Sequence, residues 1–185
     1  MDRGARENRH WNLWLGFFLI VAVAVALRWW NLGAWDMWTD EVQTLWVSQS
    51  GEFKEGPMYR TAPVNFFVTG WIVQLVGADA LGARLPAFLS GVLTVALFFP
   101  LMKRWIGGRA ALLGTAVLTL SFWHVFWSQN ARHFALQTLI LLGALHCFLL
   151  FCRAGRRWAL ALCSALLLLA HFTHASSGFF AGSLL

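Results

Sequence analysis

Apolar residues along this chain fall in long unbroken runs, not in strand-like alternation or one-sided helical stripes. A helix that crosses a bilayer needs about 20 predominantly apolar residues, within a range of roughly 17–25. Residues 11–30, 85–102, 110–127, 134–152 and 158–175 meet that requirement, so the pattern predicts about five transmembrane helices. A further apolar run, residues 63–76 (PVNFFVTGWIVQLV), is shorter and interrupted by Asn65 and Gln74. It is expected to lie along the interface or to sink partly beside the other helices. The expected fold class is therefore an all-α integral membrane protein, multi-pass and built as one module without internal repeats.

Charge decides how this chain threads. Short cytoplasmic loops are enriched in Lys and Arg. The basic residues cluster at Arg3, Arg6 and Arg9, at Lys103, Arg104 and Arg109, and at Arg153, Arg156 and Arg157. All three clusters share one side only if 63–76 does not cross. That arrangement puts the N-terminus in the cytoplasm and residues 31–84 in one long outward loop. The loop holds Asp36, Asp40, Glu41, Glu52, Glu55 and Asp79, six of the eight acids in the chain. The string SQNARH at 128–133 and HFTHASSG after the fifth span face the same way.

Within the loop, Thr39 is a plausible N-cap for a juxtamembrane helix over about 40–49. Gly51 and the run GEFKEGP end it, and the residues around Pro57 to Pro63 connect it to the interfacial helix. Pro100 is expected to kink the second span. Gly107-Gly108 marks a turn between spans two and three.

Composition agrees with a membrane protein and narrows the partners. The 185 residues are 59% hydrophobic and 12% charged, with mean hydropathy +0.62, against about 25% charged residues in a soluble domain. Twelve tryptophans and sixteen phenylalanines beside one tyrosine suit lipid-facing and interfacial surfaces. The formal charge of +6 is dispersed in the topological clusters, so it is not a nucleic-acid footprint. Cys147, Cys152 and Cys163 all sit in apolar runs and are expected to pack as small hydrophobes. The polar start MDRGARENRH resembles a signal peptide, but the run after it ends in Arg-Trp-Trp without a small-residue cleavage site, so an uncleaved first span is expected.

Candidate chemistry gathers on the outward side. Asp40 and Glu41 follow the first span almost directly, between Trp38 and Trp46. In a soluble helix such acids would only serve the first-turn dipole; near lipid a carboxylate is costly and usually marks a function. Each is suited to act as a general base or to ligate a divalent cation. Arg84 and Arg132 either snorkel to headgroups or face a phosphate or Asp40, for which the guanidinium fork is well shaped. Arg28 reads as an ordinary span-end anchor. His171 and His174 share a helical face and, with His133, are more naturally a polar cavity lining than metal ligands. His124 and His146 are expected to be interior residues hydrogen-bonded between helices.

The order of these features resembles the N-terminal part of a GT-C glycosyltransferase, of the dolichyl-phosphate-mannose–protein mannosyltransferase and aminoarabinose transferase type. The bacterial branch of lipopolysaccharide galacturonosyltransferases is the most similar. The resemblance is carried by LRWWNLGAWDMWTDEVQTLWVS, APVNFFVTGWIVQLVGADALGARLPAFLSGVLTVALFF, FWSQNARHFALQ and HFTHASSGFF, and runs from about Leu27 to Phe180. It implies transfer of a sugar from a polyprenyl-phosphate carrier to an outward acceptor, in a bacterial inner membrane. It also implies Asp40 as the catalytic acid, with Arg84 and Arg132 lining the active-site cavity. By their position on the outward face, Glu41 is expected to assist Asp40, and His133 and His174 to lie around the substrate; a divalent cation is left open as cofactor. Where the family often has His-Pro-Pro or Lys-Pro, this chain has Thr61-Ala62-Pro63, so Arg60 is the candidate for the carrier-phosphate contact. Members usually run to several hundred residues, and the chain is expected to be a fragment lacking a C-terminal part. The competing expectations are a lipid or anion transporter and a non-catalytic membrane subunit.

Overall fold

The computed structural model describes residues 3–50, 60 and 62–184, and of residues 3–10 only the backbone. The side chains of Arg3, Arg6 and Arg9, the run GEFKEGP and Thr61 thus lie outside the described residues. Among those described, all regular structure is helical. The helices are α1 (Arg3–Trp29), α2 (Thr39–Gln49), α3 (Pro63–Val76), α4 (Ala80–Ile106), α5 (Gly108–Leu120), α6 (Phe122–Ser128), α7 (Phe134–Ala154), α8 (Arg157–Thr173) and α9 (Ser177–Gly182).

Helices α1, α4 and α7 are each long and apolar enough to cross a bilayer. Their large apolar side chains stay exposed in rows, as with Leu15, Phe18 and Leu19 on α1 and Leu89, Leu93 and Leu97 on α4. Apolar surface on that scale marks a lipid-facing protein rather than a water-soluble one. The expected third span, 110–127, is not one helix. It breaks at Ser121 into α5 and α6, which meet at a 60° bend and make a fourth crossing only if taken together. Hydropathy is blind to this break, because Ser121 interrupts the run as an extended cap whose hydroxyl accepts from the His124 N–H at 3.4 Å. Helix α8 has 17 residues, the lower edge of spanning length. Helix α3, with 14 residues, extends about 21 Å at 1.5 Å per residue, short of a bilayer core of roughly 30 Å.

The spans pack through a small central core of Phe17, Phe99, Met102, Ala111 and Leu142. Phe17 and Phe99 stack with centroids 5.0 Å apart. Cys147 and Cys163 pack with Ala144 between α7 and α8; all three cysteines are free, and Cys152 is exposed. Lys103 lies over the Trp14 ring and Arg153 over the Trp105 ring at one end of the bundle. At the other end, the last turn of α1, the start of α4, the end of α6, the start of α7 and the end of α8 converge. Helices α2 and α3 pack together there, and a Cβ on Gly70 of α3 would press on the Ser48 carbonyl of α2.

Candidate active site

The converging helix ends are held by a buried ion pair. Asp79 caps α4, its side chain accepting from the Gly82 N–H at 2.8 Å, and Arg84 follows one turn later. Glu41 sits in the first turn of α2, fully buried. Arg84 Nε donates to Glu41 Oε1 at 2.8 Å and Nη2 to Oε2 at 2.7 Å, a bidentate fork. The remaining donors go to the carbonyls of Leu32 at 2.9 Å, Trp35 at 3.0 Å and Asp36 at 3.2 Å. A guanidinium has five N–H groups, and these five bonds use them all. Glu41 Oε1 also accepts from the Ala131 N–H at 2.7 Å. One carboxylate thus fastens the 32–36 loop, α4 and the 130s loop to α2.

A second pair lies beside the first and is built differently. Asp40 and Glu41 are adjacent on α2 and so point about 100° apart. Arg132 Nη2 lies 3.4 Å from Asp40 Oδ2, and Nη1 donates to the Asp40 carbonyl at 3.4 Å. The Asp40 side chain is 41% exposed and that of Arg132 23%, against 0% and 5% for Glu41 and Arg84. Among the described residues, Arg132 Nε is buried without a partner, as are His133 Nε2 and Trp127 Nε1 nearby in sequence. The open pair therefore has polar capacity that the protein does not spend.

His133 and His174 stack face to face, with centroids 3.9 Å apart and ring planes 3° from parallel. Burial, then the charges of His174 and Arg132, push the His133 pKa down to about 3. His174, just beyond α8, is lowered by burial and then by Arg132. Both rings are thus neutral at physiological pH, as two stacked imidazoles beside a guanidinium must be. Gln137 Nε2 fixes this corner by donating to the His174 carbonyl at 3.2 Å and Ser176 Oγ at 3.1 Å.

Several sequence expectations shift here. Arg84 was expected either to snorkel to headgroups or to face a phosphate or Asp40; it faces Glu41, and its five donors are all engaged. Glu41, expected to assist Asp40 in catalysis, is the enclosed partner of Arg84. The cap of α2 falls on Trp38 instead of Thr39, with no side-chain capping bond. Arg60 is exposed and makes no bond among the described residues. No group of three or more His, Cys, Asp or Glu is gathered for a metal among the described residues.

Arg28 was read as a membrane-edge anchor and is fully buried. Its Nη1 donates to the carbonyls of Ala24 at 3.2 Å and Thr119 at 3.4 Å, and its Nη2 to Leu118 at 3.4 Å. Nη2 also lies 2.8 Å from His124 Nδ1, and Nε donates to Ser128 Oγ at 3.3 Å. The break at Ser121 frees the last carbonyls of α5, and Arg28 satisfies two of them while facing the negative end of that helix. Gly91 makes room for this packing, since a Cβ there would collide with the Ser128 side chain and approach Arg28. The sequence signal was the serine and histidine inside the third run. His124 and His146 are bonded between helices as expected, His146 to Trp105 Nε1 at 3.3 Å.

The fold and site define a multi-helix membrane protein whose helix ends enclose one sealed and one open acid–arginine pair. The sequence pattern described as dolichyl-phosphate-mannose-protein mannosyltransferase matches residues 60–184, most of the chain, and the chain belongs to that family of GT-C membrane glycosyltransferases. That family uses polyprenyl-phosphate-linked sugar donors in general. The match includes Arg84, Arg132, His133 and His174 but begins after Asp40 and Glu41, which the structure joins to it through the two arginines. Among curated proteins and solved structures, nothing matches.

Proposed function

We propose that the chain carries the acid half of a glycosyl-transfer site on the non-cytoplasmic face, with Asp40 as general base. The observation that carries this is the contrast between the pairs: Asp40 is accessible and only loosely held, whereas Glu41 is spent on Arg84. The acceptor hydroxyl gives its proton to Asp40, and its oxygen forms a bond to the anomeric carbon from the face opposite the phosphate. The carbon–oxygen bond to the carrier breaks, the electron pair leaves on polyprenyl phosphate, and the configuration inverts. Arg132, whose side chain is partly exposed beside Asp40, takes the charge developing on that phosphate as its hold on Asp40 slackens. Neutral His133 and His174 contribute hydrogen-bonding surface without competing charge. Arg60 stands as a further candidate for the carrier phosphate, on its position in sequence alone. No step is routed through a metal ion.

The apolar spans supply the surface for the lipid tail. Five crossings, with α8 as the last and α2 and α3 at the outer interface, remain the threading that places all basic clusters on one side. Release of polyprenyl phosphate from a sugar-loaded carrier tests the reaction in the intact membrane protein. Asp40→Asn is expected to lower it by about 10²–10⁴-fold with insertion unchanged, and near-parental release by that variant overturns the assignment. The transporter alternative predicts instead that the sugar–carrier bond survives and the lipid changes leaflet.

A further inference from the structure

Beside the sealed pair, on the Glu41 side of α2, lies a cavity of about 280 Å³ lined by Asn31, Trp35, Asp36, Trp38, Gln129 and Asn130 among others. Asp40 is not part of its lining. Glu41 and Arg84 form one wall, and their polar atoms are already committed to each other and to the backbone. What the wall does is hold the rest still. Arg84 grips the carbonyls of Leu32, Trp35 and Asp36, so the loop carrying Trp35 and Asp36 is fixed at three points.

On that fixed loop the Asp36 carboxylate has no hydrogen bond or ion pair among the described residues. The carboxamide of Asn31 is likewise uncommitted, on a backbone held in the left-handed region at φ 56°. Gln129 spends its amide N–H groups on the carbonyls of Leu27, Arg28 and Trp30, leaving its Oε1 as a free acceptor. Trp38 is oriented by a bond from Nε1 to Asn130 Oδ1 at 3.0 Å, and Trp35 is 68% exposed. Indoles at a membrane edge often serve only as anchors. An anchor, however, needs no unpaired carboxylate held next to it, and a charge near lipid is costly to keep without use.

Few convergent polar groups within an aromatic-walled hollow define a small-ligand site. Rigid indole faces match the C–H faces of a sugar ring, while carboxylate and carboxamide oxygens match its hydroxyl donors. We infer that this cavity is a saccharide subsite, which binds a pyranose ring next to, but apart from, Asp40; the inference rests on the glycosyl-transfer reading of the same loop. Asp36 accepts from ring hydroxyls, Asn31 and Gln129 complete the polar side, and Trp35 covers the apolar face. The ring belongs either to the donor or to a glycan acceptor, which have the same chemistry.

The test uses the intact membrane protein in phosphatidylcholine nanodiscs, with methyl pyranosides of mannose, glucose and galactose as probes. Saturation-transfer NMR should give a saturable signal with at least one of them. Asp36→Asn and Trp35→Leu should each weaken that binding by about tenfold, the value of one lost hydrogen bond to a charged group or one lost stacking contact. Asn31→Gly keeps the left-handed turn and removes only the carboxamide, and should weaken binding severalfold with unchanged thermal stability. In steady-state transfer, Asp36→Asn raises KM for the donor alone if the ring is the donor's, and for the acceptor alone if it is the acceptor's. No saturable binding of any probe to a transfer-competent protein, or equal binding and equal KM values in Asp36→Asn, overturns the subsite. Failure of the transfer reading looks different: the parent protein would then release no polyprenyl phosphate from a sugar-loaded carrier while probe binding stays as it was.

Discussion

Arg84 with Glu41 and Arg132 with Asp40 are the same chemical pair, with the two acids adjacent on α2, yet they are held in opposite ways. The first is enclosed, bidentate and saturated, with every guanidinium donor matched. The second is longer, partly exposed and keeps an unpaired Nε. A buried ion pair recovers its desolvation cost only with near-complete hydrogen bonding. A pair meant to exchange partners during a reaction must keep its groups reachable and under-used. Saturation distinguishes the two pairs more sharply than residue type does, and on the proposed function it separates scaffold from chemistry.

The comparison breaks most visibly if the sealed pair is opened. Arg84→Leu leaves Glu41 charged and buried and frees three carbonyls, and should cost about 3–5 kcal/mol. A large fall in thermal midpoint and in folded yield from detergent checks this. A smaller effect is expected at the open pair. Arg132→Leu should reduce turnover by about 10²-fold through lost phosphate stabilisation, while the melting temperature in detergent stays near the parent's.

Arg28 sharpens the contrast from a third direction, because it is a buried cation stabilised by carbonyls without any carboxylate. Arg28→Leu should destabilise by about 2–3 kcal/mol, since it uncaps α5 and leaves His124 unpaired. Hydrogen exchange should then rise first in α5 and α6.

The smallest effect is set by pH. His133 has a folded-state pKa of about 3, below the ordinary value. Below about pH 6.5 the unfolded state takes up a proton that the folded state refuses, so stability falls as pH drops from about 6.5 toward 3. The loss should be about 1–2 kcal/mol by pH 5. His133→Gln should remove this share of the loss and leave the part that His174, also lowered, contributes, as melting curves at pH 7 and pH 5 will report.

Much of this organisation is legible in the chain, and the limits have physical causes. Apolar run length locates α1, α4 and α7, since burial in lipid dictates both composition and length. The end points of α3, Pro63–Val76, follow from Pro at its start and Gly77 after it. What hydropathy averages away is the break at Ser121, where one polar residue in an apolar run changes the path of the backbone. Its consequence, the burial of Arg28, is invisible without the break. The convergence of Asp40, Glu41, Arg84 and Arg132 follows from threading alone, because alternate helix ends must share a face. Which acid meets which arginine does not, since an offset of one residue on α2 turns a side chain by about 100°. Asp36 gave no signal at all: an unpaired carboxylate is a property of its surroundings.

The central claim is that adjacent acids on one helix divide scaffold from catalysis, and one paired measurement tests it. Asp40→Asn and Glu41→Gln are prepared in the intact protein, and each is assayed for polyprenyl-phosphate release and for thermal unfolding in the same detergent. The expected result is a crossover. Asp40→Asn loses about 10²–10⁴-fold in release with its unfolding unchanged, whereas Glu41→Gln unfolds at markedly lower temperature. Equal losses of release in both variants with equal, parent-like unfolding would contradict the division and return Glu41 to the chemistry.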